Sequence, residues 1–202
     1  MSTATEPTVA ATATKAMRAD AQRNRDALME AAAAAFTEHG PDASLEDVAR
    51  RAGVGIGTLY RHFPTREALV EAAYRRGLET LCDKADQLAS ELPPADALEA
   101  WMQEFVAYAA TKRGLGMVLK MAADRNTELF TEVRARVRAA MATLVNSAIA
   151  AGTIRPDADG TDLLGAISGV CMGSEQPGWQ QQASRLVRLL MDGLRYGAPA
   201  GS

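Results

Sequence analysis

Thr58, Tyr60, Arg61 and His62 gather two hydroxyls, a fixed cation and an imidazole in one short stretch. Their types and spacing suit a polyanion with readable edges. Thr58 offers a methyl to thymine and a hydroxyl to a base edge, and Arg61 can reach guanine or phosphate. Tyr60 and His62 are short, stiff donors for phosphate oxygens. Gly55 and Gly57 lead into the stretch. An element entering a groove roughly 12 Å wide needs small leading residues, and these glycines meet that need. The free amides at the start of such a helix carry partial positive charge and can approach a phosphate.

The flanking sequence explains how these groups are held. Leu45, Val48, Ala49 and Ala52 stand at i, i+3, i+4 and i+7, one apolar stripe on a short helix. Ser44 is placed to cap that helix, with Asp47 three residues on, and Gly53 is placed to stop it in the left-handed region. A second short helix reads Ile56, Leu59 and Phe63 on its inner face and ends at Pro64. Two short helices, a glycine turn and a polar second helix are the parts of a helix-turn-helix. An ordinary helical hairpin with a solvated polar face fits the same pattern.

AFTEHG at 35–40, DVARRAGVGIGTLYRHF at 47–63 and TREALVEA at 65–72 resemble the N-terminal domain of TetR-family transcriptional regulators. The resemblance covers roughly residues 22–72. Its most specific part is A-x-x-A-G-V-x-x-G-T-L-Y-x-H-F, from Ala49 through Phe63. The loop Gly40 to Ser44 departs from the family by one missing residue and by Pro41 where an aromatic is common. Arg66 stands where the family usually has lysine, which keeps the charge but changes its geometry. The resemblance implies a repressor-like dimer whose C-terminal domain dimerises and binds a small molecule. On this reading Ser44, Gly55, Gly57, Thr58, Tyr60, Arg61, His62 and Arg66 face DNA. Arg23 and Arg25 form a basic arm beside it.

Bulk composition neither suggests nor forbids that partner. The net charge is −3, and residues 1–80 carry ten Lys+Arg against eleven Asp+Glu, so the position of each charge matters more than the sum. A hydrophobic fraction of 48% with only 5% aromatics supports a helical core built from Ala, Leu and Met. The histidines, His39 and His62, belong to no cluster with metal-ligand spacing, and GVGIG follows no strand, so neither metal chemistry nor dinucleotide binding is indicated. No enzyme activity and no cofactor are expected. Cys82 and Cys171 are far apart in sequence, which suits a reducing cytosol and core roles. The longest apolar run, Ala31 to Phe36, is too short to cross a membrane, and no secretory signal is visible. A cytoplasmic protein with no membrane partner is expected.

Along the chain, an alanine- and threonine-rich start predicts a disordered tail over 1–19. A first helix follows from about Arg23 to Glu38, with Leu28, Ala31, Ala32, Ala35 and Phe36 inward. A fourth helix from Thr65 to about Ser90 turns Leu69, Ala72, Ala73 and Gly77 to the head and Leu78, Leu81 and Leu88 elsewhere. It is the one evident mechanical link. Residues 95–112 are strongly periodic, Gly114 and Gly116 are expected to break the helix there, and further helices are predicted over 115–123 and 128–151.

Residues 162–174 are apolar around nearly the whole circumference, with Gly165, Gly169 and Gly173 permitting close helix contact. A last helix spans about Gln180 to Tyr196. Leu163, Ile167, Val170, Leu186, Leu189, Leu190 and Leu194 are the expected dimer interface, a four-helix arrangement across two copies. Trp101, Phe105, Tyr108, Met117, Met121, Met141, Leu144 and Trp179 are the candidates for an adaptable apolar ligand cavity, the alternative for each being plain core. Lys112, Arg113 and Lys120 are expected on the surface, with pairing to an acidic ligand group as the alternative. Arg134, Arg136 and Arg138 are read as a solvated face.

The expected fold class is thus all-α, about nine helices in total. An N-terminal three-helix bundle with the helix-turn-helix over 20–66 precedes a larger helical dimerisation and ligand domain over 67–197. The expected function is a DNA-binding transcriptional regulator, a repressor. It binds a double-stranded palindromic operator as a homodimer and is released by a small, largely apolar effector. The alternatives are a helical homodimer acting through protein contacts and a regulator without small-molecule sensing.

Overall fold

The computed structural model describes the backbone of residues 8–125, 127–173 and 178–196 and the side chains of residues 16–40, 42–113, 131–132, 134–173 and 178–196. Among these, eight α-helices and one 3-10 turn account for all regular structure. They are α1 (Thr8–His39), α2 (Leu45–Arg51), α3 (Ile56–His62), α4 (Arg66–Glu91), α5 (Pro94–Arg125), α6 (Thr127–Ala150), α7 (Gly160–Met172) and α8 (Trp179–Tyr196). The 3-10 turn, Gly40–Asp42, joins α1 to α2.

The head follows its local sequence closely. The Ser44 hydroxyl accepts from the Asp47 amide at 3.3 Å, and the Thr65 hydroxyl accepts from the Ala68 amide at 3.1 Å, so α2 and α4 begin where their caps stand. Gly53 turns the chain between α2 and α3 at φ +70°, a conformation that a Cβ would strain. Leu28, Ala32, Ala35 and Phe36 of α1 are buried with Val48, Leu59 and Phe63. Ile56, expected on the inner face of α3, is exposed. A helix this short buries only Leu59, and its first residue lies at the margin of the core.

An ion-pair network locks α1 to α2. Arg51 donates to both oxygens of Glu38 at 2.9 and 2.7 Å and to Asp47 at 2.6 Å, while Arg50 pairs with Asp47 as well. The Arg51 hydrogen bonds hold the Glu38 carboxyl below its ordinary value. Burial alone would raise Asp47, but Arg51 and Arg50 together bring it down. Carboxylates with depressed folded pKa values contribute stability above the ordinary carboxylate range and lose it as pH falls through the folded values, below about 4. Arg51→Ala is therefore expected to flatten acid unfolding in that window. Helicity followed against pH for both proteins checks this. An unchanged acid limb would show that the network adds nothing to stability.

Three expectations about helix extent are corrected. α1 begins at Thr8, well before Arg23, so the expected tail is helical from Thr8 onward. Gly114 and Gly116 do not break the chain: α5 runs unbroken from Pro94 to Arg125. A helical glycine costs about 1 kcal/mol, less than a long packed helix recovers. The expected separate helix over 115–123 is thus the second half of α5.

α4 and α5 pack along their length, and α4 also meets α1 and α6. Leu69, Val70 and Ala73 near the start of α4 are buried, and Leu78, Leu81 and Ala85 continue the buried face further along. Gly77, expected against the head, instead faces Tyr108 of α5: a Cβ there would lie 3.1 Å from that ring. α4 is not the sole link to the head. α5 also touches α1 and the 3-10 turn, and the Thr37 hydroxyl donates to that of Thr111 at 3.2 Å. Buried side chains from Leu28 to Leu194 form one connected cluster.

Candidate DNA-binding surface and small-molecule cavity

α3 presents a polar outer face. Tyr60 and Arg61 are exposed, and Thr58 and His62 are half-buried. Arg61 lies back along its own helix, donating to the Gly57 carbonyl at 3.3 Å and the Thr58 hydroxyl at 3.4 Å. Those are weak contacts that an anion can replace. Gly55 caps α3 from extended backbone, and a Cβ at Gly55 or Gly57 would meet nothing within 4 Å. Both glycines thus lie at an open surface, beside the free amides at the start of the helix.

Other expected contacts are already engaged within the head. Arg25 stacks over Phe63 at 4.5 Å and donates to the His62 carbonyl at 3.4 Å. Arg66 donates to the Ala43 carbonyl at 2.8 Å, and its guanidinium lies 4.9 Å from the Phe36 ring centre. A planar guanidinium can stack on the ring and donate in its own plane at the same time. Ser44 caps α2 and also donates to Glu46. Arg23 is exposed and pairs with Asp20.

The larger domain holds a half-open cavity of about 800 Å³ between α4, α5, α6 and α7. Its apolar wall is Tyr74, Leu78, Phe105, Ala109, Val137 and Leu164. Tyr108, Ser168, Cys171 and Met172 complete it, together with the cations Lys112, Arg113, Arg134 and Arg138. The Tyr108 hydroxyl is buried without a well-formed hydrogen bond. Burial first, and then the nearby Tyr74, keep its proton on far above the ordinary tyrosine value. Burial also pushes the Cys171 thiol upward, so it stays neutral.

Of the residues expected to line a cavity, Phe105 and Tyr108 do. Trp101, Met141 and Leu144 are fully buried and fill the core instead. The Trp101 indole donates to the Leu81 carbonyl at 2.8 Å, fixing its ring between α5 and α4. Trp179 lies outside the cavity, under the Arg113 guanidinium at 4.5 Å. The side chains of Met117, Met121 and Lys120 lie outside the described residues. Arg134 and Arg138, read from sequence as a solvated face, border the cavity. The overlooked signal is that buried Val137 sits between them at i+3 of one and i−1 of the other, on one side of α6.

Residues 28–73 match the domain described as bacterial regulatory proteins, tetR family, and residues 93–196 match the SbtR-like transcriptional regulator C-terminal domain. Across nearly its whole length, the TetR transcriptional regulator SCO0520 from Streptomyces coelicolor is 45% identical. The alignment covers 86% of this chain and 99% of that one at a TM-score of 0.78. The chain belongs to the TetR family. The TetR transcription regulatory protein from Mycobacterium vanbaalenii is 34% identical over 89% of this chain and 99% of that one, with a TM-score of 0.71. The HTH-type transcriptional regulator SAB2452 of Staphylococcus aureus is 36% identical over 76 residues, 37% of this chain and 41% of that protein. The chain thus matches less than half the length of that curated relative.

Membership makes this a DNA-binding transcriptional regulator rather than an enzyme, with an N-terminal helix-turn-helix and a helical C-terminal domain. TetR-family regulators bind DNA as dimers. Among the described residues of this TetR-family chain, no helix is long and apolar enough to cross a membrane.

The outer side of α7 and α8 is apolar and open. Leu186, Leu189, Leu190 and Gly193 follow one stripe on α8, and Leu189 is 66% exposed. With Ala166 and Val170 of α7 they border an open apolar groove whose floor includes Ile167 and Leu194. Gly165 and Gly169 of α7 are exposed with open space around them. The expected interface is corrected in part. Leu163, Ile167 and Leu194 are largely buried inside the protomer, because α7 and α8 pack on α5 and α6 with their other sides. Val170, Leu186, Leu189 and Leu190 remain available.

Proposed function

We propose that this regulator is a repressor that binds a palindromic operator as a homodimer and leaves it when a small, largely apolar molecule enters the cavity. The observation that carries the reading is Tyr108. Its ring packs against Gly77 of α4 on one side of the cavity, while the start of α4 is buried against the head. Its helix, α5, also reaches the head through Thr111 and Thr37. A molecule that displaces Tyr108 therefore pushes on both connections. A ligand shifts the equilibrium only by its preference between the two forms, and about 100-fold preference is worth roughly 2.7 kcal/mol per site. Thr58, Tyr60, Arg61 and His62 are assigned to the operator, the first and third to base edges and the others to phosphates.

One short recognition helix reads few base pairs, so useful specificity needs two related by a two-fold axis. Selection from random duplexes is expected to recover an inverted repeat, bound with affinity that falls steeply as salt rises. Tyr60→Phe should weaken all sequences alike by about 1 kcal/mol, whereas Thr58→Ala should change which bases are preferred. Recovery of no symmetric sequence, with salt-insensitive binding, would sink the reading.

A further inference from the structure

The cavity is apolar in its walls and cationic on one side. Lys112 and Arg113 reach it from α5, and Arg134 and Arg138 from α6. Among the described residues, no carboxylate lines it. Arg113 is engaged, donating to the Cys171 carbonyl at 2.9 Å and covering Trp179. Lys112, Arg134 and Arg138 make no ion pair or hydrogen bond among the described residues. Arg136, between the two arginines on α6, points elsewhere and finds Asp83 at 3.9 Å. On α6, the two arginines that have no acid among the described residues are those one helical turn apart beside Val137.

We propose that the effector is an amphipathic anion, an apolar body with a single carboxylate or similar oxyanion head, whose head is held by Lys112, Arg134 and Arg138. This rests on the effector-binding role given to the cavity above. Like charges gathered without a counter-charge oppose one another, and an anion placed among them relieves that repulsion while gaining charge-assisted hydrogen bonds. Lys112 is exposed at the cavity mouth, yet partial desolvation by its neighbours, and then Arg134, lower its pKa. The rest of the ligand meets Phe105, Leu78, Val137 and Leu164, which offer it nothing but apolar contact. A neutral polar head can accept hydrogen bonds from the same groups but leaves their mutual repulsion in place, so charge, more than size, selects the ligand.

The test titrates the full-length protein with matched pairs, dodecanoate against dodecanol and 2-naphthoate against 2-naphthamide, by calorimetry and by release of the selected operator. At least one acid is expected to bind about tenfold or more tightly than its neutral partner, and to release the operator. Arg134→Gln combined with Arg138→Gln should remove that advantage. Both side chains are exposed and lie outside the head, so the variant should keep its fold and its ligand-free operator affinity. Equal or tighter binding of the neutral partners overturns the inference, as does an advantage that survives in the double variant. If neutral compounds release the operator and acids do not, the anion assignment falls and the sensor reading stands. If no compound binds while the operator is still bound, both fall.

Discussion

Trp101→Ala is expected to cost about 3–5 kcal/mol of stability, the largest single-residue loss in the C-terminal domain. Trp101 is fully buried, its indole N–H is tied to the Leu81 carbonyl, and its ring lies 6.1 Å from that of Phe105. Truncation removes the bulkiest fully buried side chain from the contact between α4 and α5 and leaves a void that long helices cannot close without moving apart. The melting temperature should fall by on the order of 10 °C. Trp101→Phe keeps most of the ring and gives up the hydrogen bond, so about 1 kcal/mol or somewhat more is expected. Phe105→Ala provides the contrast, since Phe105 borders the cavity and is only half-buried. Its truncation should cost less stability and change ligand affinity more. Thermal melts of the three variants measure this. If Trp101→Ala melts like the wild type, the ring does not hold the core.

Leu186→Asp combined with Leu189→Asp is expected to convert a homodimer into a species of 21.4 kDa and to weaken operator binding by about 10²–10⁴-fold, the advantage of holding two heads together. Both leucines are exposed on α8, so two charges there leave the protomer core untouched. Across a dimer interface the same charges would be buried without partners, which an apolar contact does not tolerate. Ile167→Asp is the wrong test, because Ile167 is itself core and its loss would unfold the protomer. Light scattering gives the mass and a binding titration gives the affinity, with helicity as the control for folding. A wild type that runs as a monomer at micromolar concentration, or a variant that remains dimeric, would move the interface off α7 and α8.

These two experiments fall on opposite sides of what a linear reading can reach. The helix-turn-helix was legible because its determinants are local. The Ser44 and Thr65 caps act within three residues, Gly53 acts through its own φ, and the 3.6-residue stripe needs only α2 and α3. The same locality made the all-helical class legible. It misleads at Gly114 and Gly116, where a small intrinsic penalty suggests a stop and the helix runs on.

The partition of the apolar residues was decided by tertiary structure alone. Trp101, Phe105 and Tyr108 share one side of α5, yet Trp101 enters the core against α4 while the other two border the cavity. Periodicity says which side of a helix is apolar, not which neighbour it meets, and α6 and α7 supply the cavity's far wall from more than twenty residues away. Arg25 and Arg66 show the same limit, since the aromatic rings that engage them, Phe63 and Phe36, come from distant parts of the chain. The cationic side of the cavity is the clearest instance. Lys112, Arg134 and Arg138 are ordinary surface residues in sequence, and only the packing of α5 on α6 sets their charges around one space. Charge in a sequence fixes sign and number, whereas the field that a ligand experiences depends on distance, which folding sets.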